Sequence, residues 1–235
     1  VTQAQADRPD LFQALLRGLA GGFIGAVLGH VLVTWCLRTG GEFWLKGPYG
    51  PGQFFGISAY LGVLYGCIGL ALAWRAAPAL LGLLGNFLGI ALPMFVLTHH
   101  PLPMRAFMRL LAHFPAFTTR LMLSMGGLDL AGLAWTIAVL FIYIAATWGT
   151  TLGLGALLCP GRRWLGAAAA ALGSLAGYLV LKVFLAAVPS CAQGRWDPRS
   201  FSPSPLDLLT GLLVGAGIGA AVCLAGRVGG KEPQP

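Results

Sequence analysis

His30, Asn86, Lys182 and the hydroxyl series Thr136, Tyr143, Thr147 and Thr151 lie inside long apolar runs, where a polar or ionisable group is costly and is therefore the first candidate for function. The series recurs at spacings of seven, four and four, which sets the hydroxyls along one stripe of a helix. Such a stripe would line a small polar pathway or hold a lipid or quinone headgroup, with Asn86 adding an amide and Lys182 attracting an anion. Each also has a plainer structural use. Hydroxyls bond carbonyls of their own helix, a lone amide bonds to a neighbouring helix, and the Lys182 ammonium snorkels to the interface past Tyr178. No Asp or Glu lies well within an apolar run, and no HExxH, GxSxG, paired-carboxylate or phosphate-loop pattern occurs, so an enzyme is not expected. The five cysteines contain no CxxC and offer neither a metal pattern nor a disulfide framework.

His30 has two readings. An interhelical hydrogen bond is the first, and axial ligation of a tetrapyrrole is the second. The run from Ala26 through Gly29, His30 and Trp35 to Arg38 resembles the pigment-binding stretch of bacterial antenna polypeptides, in which a small residue four before a histidine admits a bacteriochlorophyll ring. The resemblance implies a pigment- or haem-associated membrane subunit with His30 as the ligand. It covers about thirteen of 235 residues, and antenna polypeptides are short single-span chains, so it assigns no family. A two-histidine haem is not expected, because His99, His100 and His113 all fall between spans. No cofactor or metal is expected.

The elements that must position these groups are dictated by composition. Charged residues make up 9% of the chain against about 25% in ordinary globular proteins, and 57% is hydrophobic, which excludes a soluble or disordered chain. Mean hydropathy is +0.79. A net charge of +8 would suggest nucleic acid in a soluble domain. Here the basic residues lie between apolar runs, where they meet lipid headgroups, and no nucleic-acid partner is expected. A span needs about 20 mostly apolar residues. Six runs qualify, at about 11–37, 54–74, 78–97, 128–158, 165–188 and 206–225, and predict a single all-α transmembrane domain. The fourth is long enough that it must tilt, break or project. The first is too long for a signal-peptide core and lacks a clear cleavage site.

Between the third and fourth spans, at about 103–125, Arg105, Arg109 and His113 recur every four residues and Arg120 follows, while Phe107, Met108, Leu111, Phe114 and Leu121 take other positions. The pattern predicts an amphipathic helical segment in the interfacial plane, re-angled at Pro115, with a basic stripe for anionic lipid or a partner. Glycines at spacings of three and four mark the first, second, third, fifth and sixth spans and predict close helix packing within or between chains. The short links holding Arg75 and the Arg162, Arg163 pair place both termini on the cytoplasmic side, in a bacterial inner membrane or an organellar one. The opposite face would carry longer segments with Phe43, Trp44, Tyr49 and Trp196, large enough for a structured cap.

Packing signals are abundant and chemical ones sparse. The leading functional expectation is therefore a non-catalytic integral subunit of a larger membrane assembly, docking other membrane subunits or lipids through its glycine faces and the basic segment. A small-solute or lipid transporter or channel is the alternative.

Overall fold

The computed structural model describes residues 10–39, 51–124, 126–127, 129–188 and 203–228. Phe43, Trp44, Tyr49, Cys191 and Trp196 lie outside the described residues. The described residues form eight α-helices and one 3-10 turn, with no strand among them: α1 Leu11–Thr39, α2 Pro51–Ala73, α3 Ala76–His99, α4 Pro101–Ala112, α5 Pro115–Ser124, α6 Leu130–Leu158, the 3-10 turn Pro160–Arg162, α7 Arg163–Ala187 and α8 Pro205–Val228. Six of them, all but α4 and α5, are long and apolar enough to cross a membrane. The chain is an all-α integral membrane bundle.

The six spanning helices form a ring in chain order, α1–α2–α3–α6–α7–α8, closed by α8 against α1. Neighbours are antiparallel, and small residues set how closely they meet. On the closing seam Gly18 faces the carbonyl of Gly215 and Gly22 that of Gly211, and on the next seam Gly25 meets Leu64 and Gly29 meets Tyr60. Gly62 and Gly66 meet Leu83 and Ala79, Gly85 and Gly89 meet Thr150 and Ala146, Gly155 meets Gly166, and Gly173 and Gly177 meet Gly217 and Leu213. Apolar side chains gain little by meeting one another in lipid, so this backbone approach is what holds the ring. These glycine faces thus make their contacts within the chain.

The seam register does not return to its starting level. From Gly29 it passes through Tyr60, Gly85, Thr150, Ala171 and Gly219 and re-enters α1 at Ala14, a stagger of about 22 Å at 1.5 Å per residue. A closed ring acquires such a stagger when its elements tilt in one sense, as strands do in a barrel. Tilt and projection explain how α6 remains unbroken at 29 residues, about 43 Å, across a core of about 30 Å. The centre of the ring is filled rather than open: Leu64, Tyr65, Ile68, Leu154, Ala170, Val214 and Ile218 form one buried cluster. A second cluster, Ile90 and Met94 with Trp135, Val139, Ile142, Tyr143 and Ala146, joins α3 to α6.

At one end of the bundle the connections are short. Trp74 and Arg75 alone separate α2 from α3, and Trp74 adopts a left-handed φ of 51°, normally a glycine position at a helix C-terminus. That conformation costs a bulky residue on the order of 1 kcal/mol. The exposed ring sits at a helix end, as interfacial tryptophans do. The other end carries α4 and α5, which break at His113 and Phe114 before Pro115, where the sequence pattern predicted a change of direction. Gly126 and Gly127, both at positive φ, turn the chain toward α6.

Gly22→Ala is expected to part the closing seam and lower stability by about 1–3 kcal/mol, because the new methyl group would meet the Gly211 carbonyl. Gly149 faces open space, and Gly149→Ala should be neutral or slightly stabilising. Thermal unfolding in mild detergent compares the two, and equal melting temperatures would show that the seam does not govern stability.

Candidate functional site

Three groups of polar side chains stand out against the apolar ring. The first lies on the closing seam. Ser204 and Asp207 start α8 as a capping box: Ser204 Oγ accepts from the Asp207 N–H at 3.2 Å, and Asp207 Oδ2 accepts from the Ser204 N–H at 3.2 Å and from its hydroxyl at 2.8 Å. The same carboxylate oxygen lies 3.5 Å from Nδ1 of His30, which is 1% exposed. The interhelical reading of His30 is therefore the one its position supports. Ala26, the small residue of the antenna-like run, is fully buried and its Cβ closes on Gly211, while Gly29 abuts Tyr60. The face on which the antenna resemblance would seat a macrocycle is occupied by α8 and α2.

The opposite end of that seam repeats the arrangement. Asp10 Oδ1 accepts from Arg227 Nη2 at 2.6 Å and from the Leu11 N–H at 2.8 Å. These two hydrogen bonds, the arginine's first, hold the Asp10 carboxyl below its ordinary value of 3.8. Each helix of the pair thus carries an acidic group at its N-terminus, matched by a basic group from the far half of its partner.

The second group lies inside the ring. The Tyr65 hydroxyl is hydrogen-bonded to Thr151 and Ser174, tying α2 to α6 and α7. Thr151 donates to the Thr147 carbonyl at 2.7 Å and Thr136 to the Gly132 carbonyl at 2.8 Å, so part of the hydroxyl stripe satisfies its own helix. Asn86 is fully buried in α3, with neither its amide nitrogen nor its oxygen hydrogen-bonded among the described residues, and the hydroxyls of Tyr60 and Tyr143 are likewise buried and unpartnered. The α2–α3 register sets Asn86 about level with Tyr60, and Tyr143 packs on Ile90 and Met94, one and two turns along α3 from Asn86. Lys182 is not brought to this set. It lies on the exposed face of α7, 5.2 Å over the ring of Tyr178, and α7 is not a neighbour of α3 in the ring.

The third group is the interfacial pair. Arg105 and Arg109 on α4, His113 at its end and Arg120 on α5 are exposed, and the arginines form no ion pair among the described residues. Met104, Phe107 and Met108 are half-buried and Leu111 is buried, and α4 packs against α6 and α3. Nδ1 of His113 is 2.7 Å from the Arg109 carbonyl and closes the end of α4. Asp129, the nearest carboxylate in sequence, caps α6 by accepting from the Gly132 N–H at 2.7 Å.

Sequence reasoning found His30, Asn86 and the basic stripe. It offers no signal for Asp207, Tyr60, Tyr65 and Ser174, whose roles depend on which helices become neighbours. Thr34, buried one turn after His30, had a legible signal in that four-residue spacing. Among the described residues no group of three or more His, Cys, Asp or Glu could hold a metal. A comparison with protein-family models, curated proteins and solved structures returns no match to this chain.

Asn86→Leu, close in shape but free of unpaired polar atoms, is expected to leave the melting temperature unchanged or raise it, by the equivalent of about 1 kcal/mol. A fall of several degrees would mean that a bound molecule pairs the amide. Arg227→Gln should return the Asp10 carboxyl toward 3.8 in a carbon-13 titration. Because its folded value is depressed, the stability Asp10 contributes is present above pH 3.8 and is lost as pH falls through the lowered value. An Asp10 titration unmoved by the substitution would dismiss the pairing.

Proposed function

We propose that this chain is a non-catalytic integral subunit of a larger membrane assembly, which holds anionic lipid, and through it neighbouring subunits, at the interface by Arg105, Arg109, His113 and Arg120. The observation that carries this reading is the set of exposed arginines on α4 and α5, the first of which packs Leu111 and the half-buried Met104, Phe107 and Met108 on the bundle. A cation near an anionic surface contributes on the order of 1 kcal/mol, and the apolar contacts of an interfacial helix add to it. The glycine seams, occupied within the chain, leave this basic pair and the lipid-facing side chains as the surfaces for docking. A bacterial inner membrane with both termini cytoplasmic fits the short-loop end, where Arg75, Arg162 and Arg163 cluster.

A small-solute carrier is the second reading, favoured by the unpartnered Asn86 amide and the Tyr143 hydroxyl. Ile68, Leu154 and Ile218, all fully buried, fill the centre, so such a carrier must move them aside.

Isolation of the chain from its native membrane in mild detergent is expected to recover other membrane subunits together with anionic lipid. Replacing Arg105, Arg109 and Arg120 by glutamine should reduce both by roughly tenfold or more without changing the melting temperature. Recovery of the chain alone, combined with solute flux in liposomes, would sink the subunit reading in favour of the carrier.

A further inference from the structure

A lipid held by the basic helices needs a seat for its acyl chains, and the seat inferred for it rests on the docking reading. Only His100 separates α3 from α4, and α4 packs on α6 as well as on α3, so Arg105 and Arg109 lie at the end of the bundle where α3 ends and α6 begins. Along the α3 side of the α3–α6 seam runs a shallow, open groove of about 480 Å³ lined by the α3 residues Leu84, Gly85, Leu88, Gly89, Leu92 and Pro93. Its origin is local. Gly85 and Gly89 are the α3 residues that meet Thr150 and Ala146 of α6, so α3 presents no side chain to fill the outer angle between the two helices, while Leu84, Leu88 and Leu92 remain exposed beside it. The groove begins six residues below His99 and ends nine residues further down, about 9 to 22 Å from the helix end at 1.5 Å per residue. One leaflet of hydrocarbon is about 15 Å deep, so an acyl chain descending from a headgroup at α4 enters it.

This side is also the least enclosed part of the ring. In the most apolar stretch of α6 11% of residues are buried, against 44% in α1 and α2. Loose helix packing, an apolar groove and unpaired cations above it converge on one kind of molecule. We propose that the outer α3–α6 seam binds an anionic diacyl phospholipid, with its phosphate on Arg105 and Arg109 and one acyl chain in the groove from Leu84 to Pro93. The lipid adds outer packing to a seam whose glycine contacts, Gly85 with Thr150 and Gly89 with Ala146, leave the outer angle between the helices unfilled.

Native mass spectrometry of the full chain with dioleoyl phosphatidylglycerol and dioleoyl phosphatidylcholine tests the seat. The wild type should retain the anionic lipid at least tenfold better. The double variant R105Q/R109Q should bind the two lipids about equally. Leu88→Trp, which fills the groove from an exposed position, should lower retention of both by threefold or more while preserving the preference for the anionic one. If Leu88→Trp does not fold, dihexanoyl phosphatidylglycerol replaces it, and the wild type should retain this short-chain lipid at least threefold less than the dioleoyl form. Loss of preference in R105Q/R109Q with no effect of Leu88→Trp or of chain length would overturn the groove and leave the docking reading intact. Equal retention of both lipids by the wild type would overturn the two together.

Discussion

Close backbone approach at glycine is the constraint on which the rest of this structure depends. In water, helices associate by removing apolar surface from solvent. In hydrocarbon that driving force is absent, and van der Waals contact between smooth faces must replace it. The seam between α1 and α8 shows the consequence most clearly, since Gly18 and Gly22 abut the carbonyls of Gly215 and Gly211 at separations a side chain would forbid. Closing that seam turns a serial array of hairpins into a ring, so the first and last spanning helices define the shape of the whole bundle.

Electrostatics then reinforces the same seam at both ends. Asp10 meets Arg227 at one end and Asp207 approaches His30 at the other. An acidic group at a helix N-terminus is favoured by the peptide dipoles, and in an antiparallel pair the partner's far half is at hand to supply the matching base. The exposed Asp10 pair is screened by solvent, so it contributes little to stability and more to register. His30 is different because it is almost fully enclosed, and its contact with Asp207 gives a costly buried group a partner.

The other side of the ring is organised more loosely. Between α3 and α6 the glycines meet side chains rather than one another, Gly85 and Gly89 of α3 against Thr150 and Ala146 and Gly153 of α6 against Leu81, and the seam leaves an outer groove beside it and an interior amide without a partner among the described residues. The amphipathic helix α4 and the shorter α5 sit at that side with their arginines exposed. One half of the molecule is a tightly closed scaffold, and the other offers the surfaces on which lipid and neighbouring subunits are proposed to act.

Which segments cross the membrane was legible in the sequence, because spanning demands about 20 apolar residues and the boundaries fall at prolines, charges and polar clusters. Every span was found to within three residues of its helix ends, and the basic stripe of Arg105, Arg109 and His113 announced its helix by a four-residue period. The glycine spacing announced close packing as well, but a smooth stripe serves contacts within a chain and between chains equally well. Only the tertiary structure decided that Gly18 and Gly22 meet α8. For the same reason His30 could be read either as a pigment ligand or as an interhelical partner, since Asp207 is remote in sequence and becomes its neighbour only when the ring closes. Local periodicity determines which face of a helix is smooth, polar or basic; which faces meet is a property of the assembled bundle, set by packing among all six spanning helices at once.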